Sequence, residues 1–396
     1  MGNQQTALTK RSIDTASGRI SYTEAGSGPV ALFVHGVVLN KHVWRHQLTG
    51  LSDTRRCIAV DLLAHGDTEI DPNQDVSVTA NANMLREVLD ALKIDKIDLV
   101  GNDSGGGIAQ IFAASNPDRV RSVTLTNCDA HDNWPPEAFK PFVEMAIAGG
   151  LRDTMNAMLA DKAIYRSPQA LGPAYEHPEN VSDQDVETYL QPHVRTEQRT
   201  RDLQRFVAAF DNKHTVSIEP RLRQLKAPTL IVWGTDDIYF PVQWAHWLAG
   251  TIPGAKPTVE LKGARIFFPE ERARSSTNCC VIICWRHDAG WSHSNQNRKW
   301  ENPSWPSTSL DSSNSPTLRH INATLRVSEA CSSNSEERCW QPMSSPKSSR
   351  GVETKLCSCL FQMRRLSAVL RVNPISGDCK GPKGRGGRPY VAGTRH

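Results

Sequence analysis

Cysteine is scarce over most of the chain: of ten in all, only Cys57 and Cys128 precede residue 273, so that part is not built on disulfides. No apolar run near the N-terminus has the form of a signal peptide. Nothing approaches the ~20 apolar residues of a membrane span, so no membrane partner and a soluble, cytoplasmic protein are expected. Paired two-residue cysteine spacings are missing as well. Cys279, Cys280 and Cys284, and Cys357 with Cys359, lack the pattern of a zinc site, so no metal is implied. The basic stretch from Lys380 to Arg388 has no interleaved aromatics, which argues against a nucleic-acid partner.

What is present divides sharply. The chain has 46 Lys+Arg and 42 Asp+Glu, but 18 and 8 of these lie from Arg274 onward, which leaves the first 273 residues at a net −6. The same stretch from Arg274 holds 21 serines, with scattered Cys and Trp and no periodic apolar pattern. Such text cannot bury a core, and a disordered tail over 273–396 is expected. Translation in a shifted frame or through an unspliced intron would give such a composition, with a genuine disordered extension as the alternative.

Before that point, short apolar runs recur at 19–23, 30–34, 57–60, 96–100, 123–127, 229–233 and 257–261. Their length and β-branched content predict strands. Helical patterns lie between them, notably 79–92, with Met84, Leu85, Val88 and Leu89 on one face, and 106–115. Strands alternating with helices predict an α/β fold with a mostly parallel sheet and helices on both faces. The alternation lapses between 131 and 220, where helical stretches at 141–160 and 185–210 stand without strands. The expected organisation is a core in two parts, 1–130 and 221–272, interrupted by a helical cap insert over 131–220.

The segment Leu99-Val100-Gly101-Asn102-Asp103-Ser104-Gly105-Gly106 follows an apolar strand and opens a helix. A strand-to-helix turn this tight forces its central residue into strained backbone, with small residues two positions before and after it. Gly101 and Gly105 flank Asp103 in that way. Taking Ser104 as the centre would place Asn102 at a small-residue position and move the turn off the strand end, so Asp103 is preferred as nucleophile over Ser104.

With this turn, the chain resembles the α/β-hydrolase superfamily over roughly residues 15–270, within the branch of haloalkane dehalogenases and epoxide hydrolases. His35-Gly36 after the strand 30–34 matches the family's oxyanion-hole motif, and the resemblance implies that the N–H groups of Val37 and Ser104 form that hole. In Gly234-Thr235-Asp236-Asp237, the residue matching the family's catalytic acid is Asp237, with its neighbour Asp236 the less fitting choice. Asp129 is another position where relatives keep an acid, although an N-cap of the first cap helix is the plainer expectation for it.

The family's histidine belongs near 262–269, and that segment reads Lys-Gly-Ala-Arg-Ile-Phe-Phe-Pro. Without a base the ester formed on an aspartate nucleophile should persist. His42, His46, His131 and His246 are the candidates to replace it through space, although surface or packing roles suit each. The family's halide-binding asparagine and tryptophan correspond here to Val37 and Ser104. Tyr165, Tyr175 and Tyr189 lie in the region of the tyrosines with which epoxide hydrolases activate the ring, or else pack the insert. The expected function is hydrolysis of a small apolar molecule, an epoxide, alkyl halide or ester, with no cofactor. The contrasting expectation is a small-molecule binding protein without turnover on the same scaffold.

Overall fold

The computed structural model describes residues 8–273 together with 276 and 277. The expectation of a disordered 273–396 tail lies, apart from residues 273, 276 and 277, outside the described residues. Eight strands form one sheet: β1 (Thr9–Thr15), β2 (Gly18–Ala25), β3 (Val30–Val34), β4 (Arg56–Val60), β5 (Ile97–Asp103), β6 (Val120–Cys128), β7 (Thr229–Gly234) and β8 (Val259–Leu261). Their order is β1-β2-β4-β3-β5-β6-β7-β8. β1 pairs antiparallel with β2, and β2 with β4, whereas every later pair is parallel. The expected mostly parallel sheet is therefore present.

Burial explains both what the sequence revealed and what it hid. β3 and β5 are buried at every position; β3 therefore reads as a continuous apolar run, while β5 mixes apolar residues with the buried polar Asp98, Asn102 and Asp103. β1 was not expected. It is an edge strand whose side chains are mostly exposed, so it carries no apolar alternation to find.

Helix α1 (Arg45–Leu51) packs on β4, and α2 (Val78–Ala91) packs on α3 (Ser104–Ser115), which in turn lies on β5 and β6. α2 begins where Ser77 Oγ accepts the N–H of Ala80 at 3.3 Å and gives way to Lys93 in left-handed backbone at φ 54°. α3 is buried from Ser104 to Ala114, so its apolar content shows no strong one-sided pattern.

Between β6 and β7 come α4 (Lys140–Ile147), α5 (Leu151–Ala160), α6 (Lys162–Arg166), α7 (Asp183–Val194), α8 (Glu197–Ala208), α9 (Lys213–Val216) and α10 (Glu219–Leu222). Each expected long helical stretch is in fact two helices. The first breaks at Gly149, φ 83°; the second breaks where Thr196 leaves helical backbone and accepts the N–H of Arg199 at 3.2 Å. α11 (Gln243–Thr251) packs on β7, and α12 (Phe268–Glu271) follows β8.

α12 fastens the end of the core to the helices between β6 and β7. Glu270, 8% exposed, accepts from Arg45 Nη1 at 2.5 Å and from the Tyr189 hydroxyl of α7 at 2.7 Å. The Glu271 carboxylate accepts the N–H groups of Glu176 and His177 at 2.8 and 2.7 Å. Removing Glu270 leaves Arg45, 20% exposed, with the longer contact to Asp185 at 3.4 Å as its remaining ion pair, and takes the acceptor from the buried Tyr189 hydroxyl. Glu270→Ala should therefore lower the unfolding free energy by about 2 kcal/mol in a urea titration, whereas an unchanged midpoint would show that the bridge contributes little.

Candidate functional site

β5 ends at Asp103 and α3 starts one residue later, with no loop between. The turn is possible only because Asp103 adopts φ 56°, ψ −136°, a conformation costly for a residue with a side chain. Backbones crowd around it. A Cβ at Gly105 would lie 2.3 Å from the carbonyl oxygen of His35, and one at Gly36 would lie 2.0 Å from Asp103 Oδ2. The glycines are what let the loop after β3 close over the carboxylate.

That loop is held by His35, which is fully buried. Its Nε2 accepts the N–H of Leu62 at 3.0 Å, so the ring proton sits on Nδ1 and is donated to the carbonyl of Gly36 at 2.7 Å. Burial pushes the imidazole down to about 3. His35 is thus a neutral strut with both nitrogens committed, not a base.

The Asp103 carboxylate is 5% exposed. Its Oδ2 accepts the N–H of Val37 at 3.0 Å, the N–H of Ser104 also points to the carboxylate, and Ser104 Oγ lies 3.5 Å from Oδ1. Both amides expected to form an oxyanion hole therefore converge on the same group. Burial raises Asp103 to about 7, with the charge of Asp237 adding to the rise while the two amides oppose it.

Asp237 is 7% exposed and tightly held. Asn127 Nδ2 donates to Oδ2 at 2.7 Å, and the N–H groups of Tyr239 and Phe240 donate to Oδ1 at 2.8 and 3.3 Å. Burial raises it also to about 7. Asp236, by contrast, hydrogen-bonds Thr235 Oγ1 at 2.8 Å at the surface.

Asp103 opens into a cleft that Val37, Val38, Ser104 and Asp129 also line. Phe139, Leu171, Ala174 and Phe210, from between β6 and β7, and Tyr239, Phe240, Ile266 and Phe267, from the ends of β7 and β8 onward, add to the lining. The space is narrow and apolar.

Among the described residues no histidine lines this cleft. His42 pairs with Asp185 at 3.0 Å, His131 with Glu219 at 3.1 Å and His246 with Glu260 at 2.9 Å, and His46 is exposed elsewhere. The segment where a histidine was expected instead presents Ile266 and Phe267 to the cleft. Its backbone is fixed there, because Asn102 Nδ2 donates to the Ile266 carbonyl at 2.9 Å.

The three tyrosines singled out from sequence do not reach the cleft. Tyr165 and Tyr175 bond each other at 3.0 Å, and Tyr189 is engaged with Glu270. Tyr239, which lies just after Asp237 and was not foreseen, lines it instead. The N-cap expectation for Asp129 is corrected: the first short helix after β6, Glu137–Phe139, is preceded by Pro136, while Asp129 is 1% exposed and lines the cleft.

The family model for the alpha/beta hydrolase fold matches residues 29–272. The chain is 29% identical over 276 residues to haloalkane dehalogenase 2 of Mycobacterium tuberculosis, spanning 66% of this chain and 90% of that one. An alpha/beta hydrolase fold protein from Burkholderia ambifaria superposes with a TM-score of 0.61 at 22% identity, over 70% of this chain and 99% of that one. Epoxide hydrolase CorEH superposes with a TM-score of 0.59 at 21% identity, over 70% and 98%.

The raised carboxyls have a consequence for stability. An acid whose folded value lies above its unfolded one keeps a proton that the unfolded chain has lost, so stability falls as pH rises from about 4 to about 7 and then levels. Asp103→Asn removes that cost. Relative to the parent chain it should gain on the order of 3 kcal/mol between pH 4.5 and pH 8 in urea titrations, and an equal gap at both pH values would contradict the assignment.

Proposed function

The chain belongs to the α/β-hydrolase fold family, and within it we propose a hydrolase in which Asp103 attacks an electrophilic carbon of a small, largely apolar molecule, an epoxide, alkyl halide or activated ester, to form an ester on its own carboxylate. The observation that carries this reading is the Asp103 side chain held at a strained turn, in an apolar cleft, with two backbone amides converging on it. Oδ2 is bonded to Val37, which leaves Oδ1 as the freer oxygen to attack. When water later adds to the ester, the N–H groups of Val37 and Ser104 stabilise the developing oxyanion.

Ser104 is the weaker nucleophile. Its hydroxyl is directed at acidic groups rather than at a base that would take its proton. Asp237 takes the position of the acid that orients a catalytic histidine, yet the residue reaching the cleft from the segment after β8 is Ile266. The site is therefore equipped for ester formation and poorly equipped for rapid release. A binding protein without chemistry is the contrasting reading, supported by that same absence of a histidine among the cleft's lining residues.

Mass spectrometry of the full chain after incubation with styrene oxide, 1-bromohexane or p-nitrophenyl acetate tests the reading. The expected result is an adduct on the peptide holding Asp103, absent in Asp103→Asn. Ile266→His should speed clearance of that adduct by at least about tenfold, the lower end of what a positioned general base contributes. A folded chain showing neither adduct nor turnover would overturn the reading in favour of a binding protein.

A further inference from the structure

An attacking carboxylate is half of the chemistry that opens an epoxide; the ring oxygen must also receive a proton. Around Asp103 the obvious donors are engaged elsewhere. Tyr165, Tyr175 and Tyr189 are tied up outside the cleft, and positions 37 and 104 carry valine and serine. Tyr239 lines the cleft, but burial pushes its hydroxyl up to about 12.

Asp129 differs from all of these. It directly follows β6, is 1% exposed and lines the same cleft as Asp103, and its Oδ1 has no hydrogen-bond partner among the described residues. Its backbone is fixed, because Gln110 Nε2 donates to its carbonyl at 2.7 Å. The Ser104 hydroxyl stands between the two carboxyls, 3.5 Å from Asp103 Oδ1 and hydrogen-bonded to Asp129. An unpartnered carboxyl oxygen buried beside a nucleophile is costly unless something that enters the cleft completes it.

We infer that Asp129 is a catalytic acid acting directly on the substrate, so that this cleft favours molecules whose departing oxygen needs a proton, epoxides, over alkyl halides. The inference rests on Asp103 being the nucleophile. Burial and the neighbouring charge of Asp103 both hold Asp129 well above the ordinary carboxyl range, so it keeps its proton while Asp103 is ionised.

Asp103 Oδ1 forms a bond to a ring carbon as the ring C–O bond breaks. The electron pair of that bond goes to the ring oxygen, which takes the Asp129 proton and becomes a hydroxyl. Release, slow because a carboxylate rather than an imidazole takes the proton, restores both groups. Water adds to Asp103 Cγ and gives one proton to Asp129; the ester C–O bond then breaks, and the remaining water proton leaves with the alkoxide as the product diol.

The test measures the rate of ester formation on Asp103, by mass spectrometry of the full chain, with styrene oxide and with 1-bromohexane. In Asp129→Asn the styrene oxide rate should fall by about a hundredfold, the scale of general-acid assistance. The 1-bromohexane rate, whose bromide leaves without a proton, should stay within about threefold. If that variant precipitates, Asp129→Ser is read in the same way. Equal loss with both reagents would make Asp129 structural and overturn the inference alone. An epoxide-selective loss in Tyr239→Phe, with Asp129→Asn intact, would overturn it in favour of the phenol. No ester from either reagent on the parent chain would overturn the Asp103 reading itself, and this one with it.

Discussion

Everything around this site depends on one costly piece of backbone: Asp103 held at φ 56° between a buried strand and a buried helix. A residue with a side chain gives up roughly 1–3 kcal/mol to stay there. The surrounding structure supplies the constraint. β5 is paired on both sides, with β3 and β6, and α3 is clamped against them, so the turn has no room to relax. Because it is held, the side chain projects into the cleft and meets the amides of Val37 and Ser104 without any rearrangement.

The second constraint is electrostatic. Asp103, Asp129 and Asp237 are all nearly excluded from water, each raised by burial, and among the described residues no imidazole stands with them to take a proton. Three carboxyls in one apolar region do not all ionise together. Their environments separate them. Asp103 faces two backbone N–H groups that favour its charged form, Asp237 accepts from Asn127 and two further amides, and Asp129 has an oxygen with no donor among the described residues. That inequality is the physical basis for giving them different roles.

The sheet and the turn were legible because they rest on local chemistry: a continuous apolar run for β3, short β-branched and apolar stretches for β5 and β6, and Gly-x-Asp-x-Gly between a strand and a helix. Val37 and Ser104 came from the resemblance to the family's His-Gly motif, and the structure brings both amides to Asp103. What escaped depends on distance in sequence. β1 has an exposed, polar pattern that looks like any loop until it pairs with β2. Tyr239 and Ile266 enter the cleft only because the ends of β7 and β8 meet there, and nothing in their neighbours advertises that. Asp129 read as a helix cap because a lone aspartate after a strand usually is one; only its burial and its empty Oδ1 distinguish it.

The central claim, that Asp103 forms a covalent bond to substrate, is tested most directly by oxygen labelling. Excess full-length chain is reacted with styrene oxide for a single turnover in H2(18)O, and both the diol and the Asp103 peptide are weighed. The account predicts that heavy oxygen enters the Asp103 carboxylate while the diol carries oxygen from the protein. Heavy oxygen in the diol, with Asp103 unlabelled, would mean that water attacks the substrate directly and would contradict it.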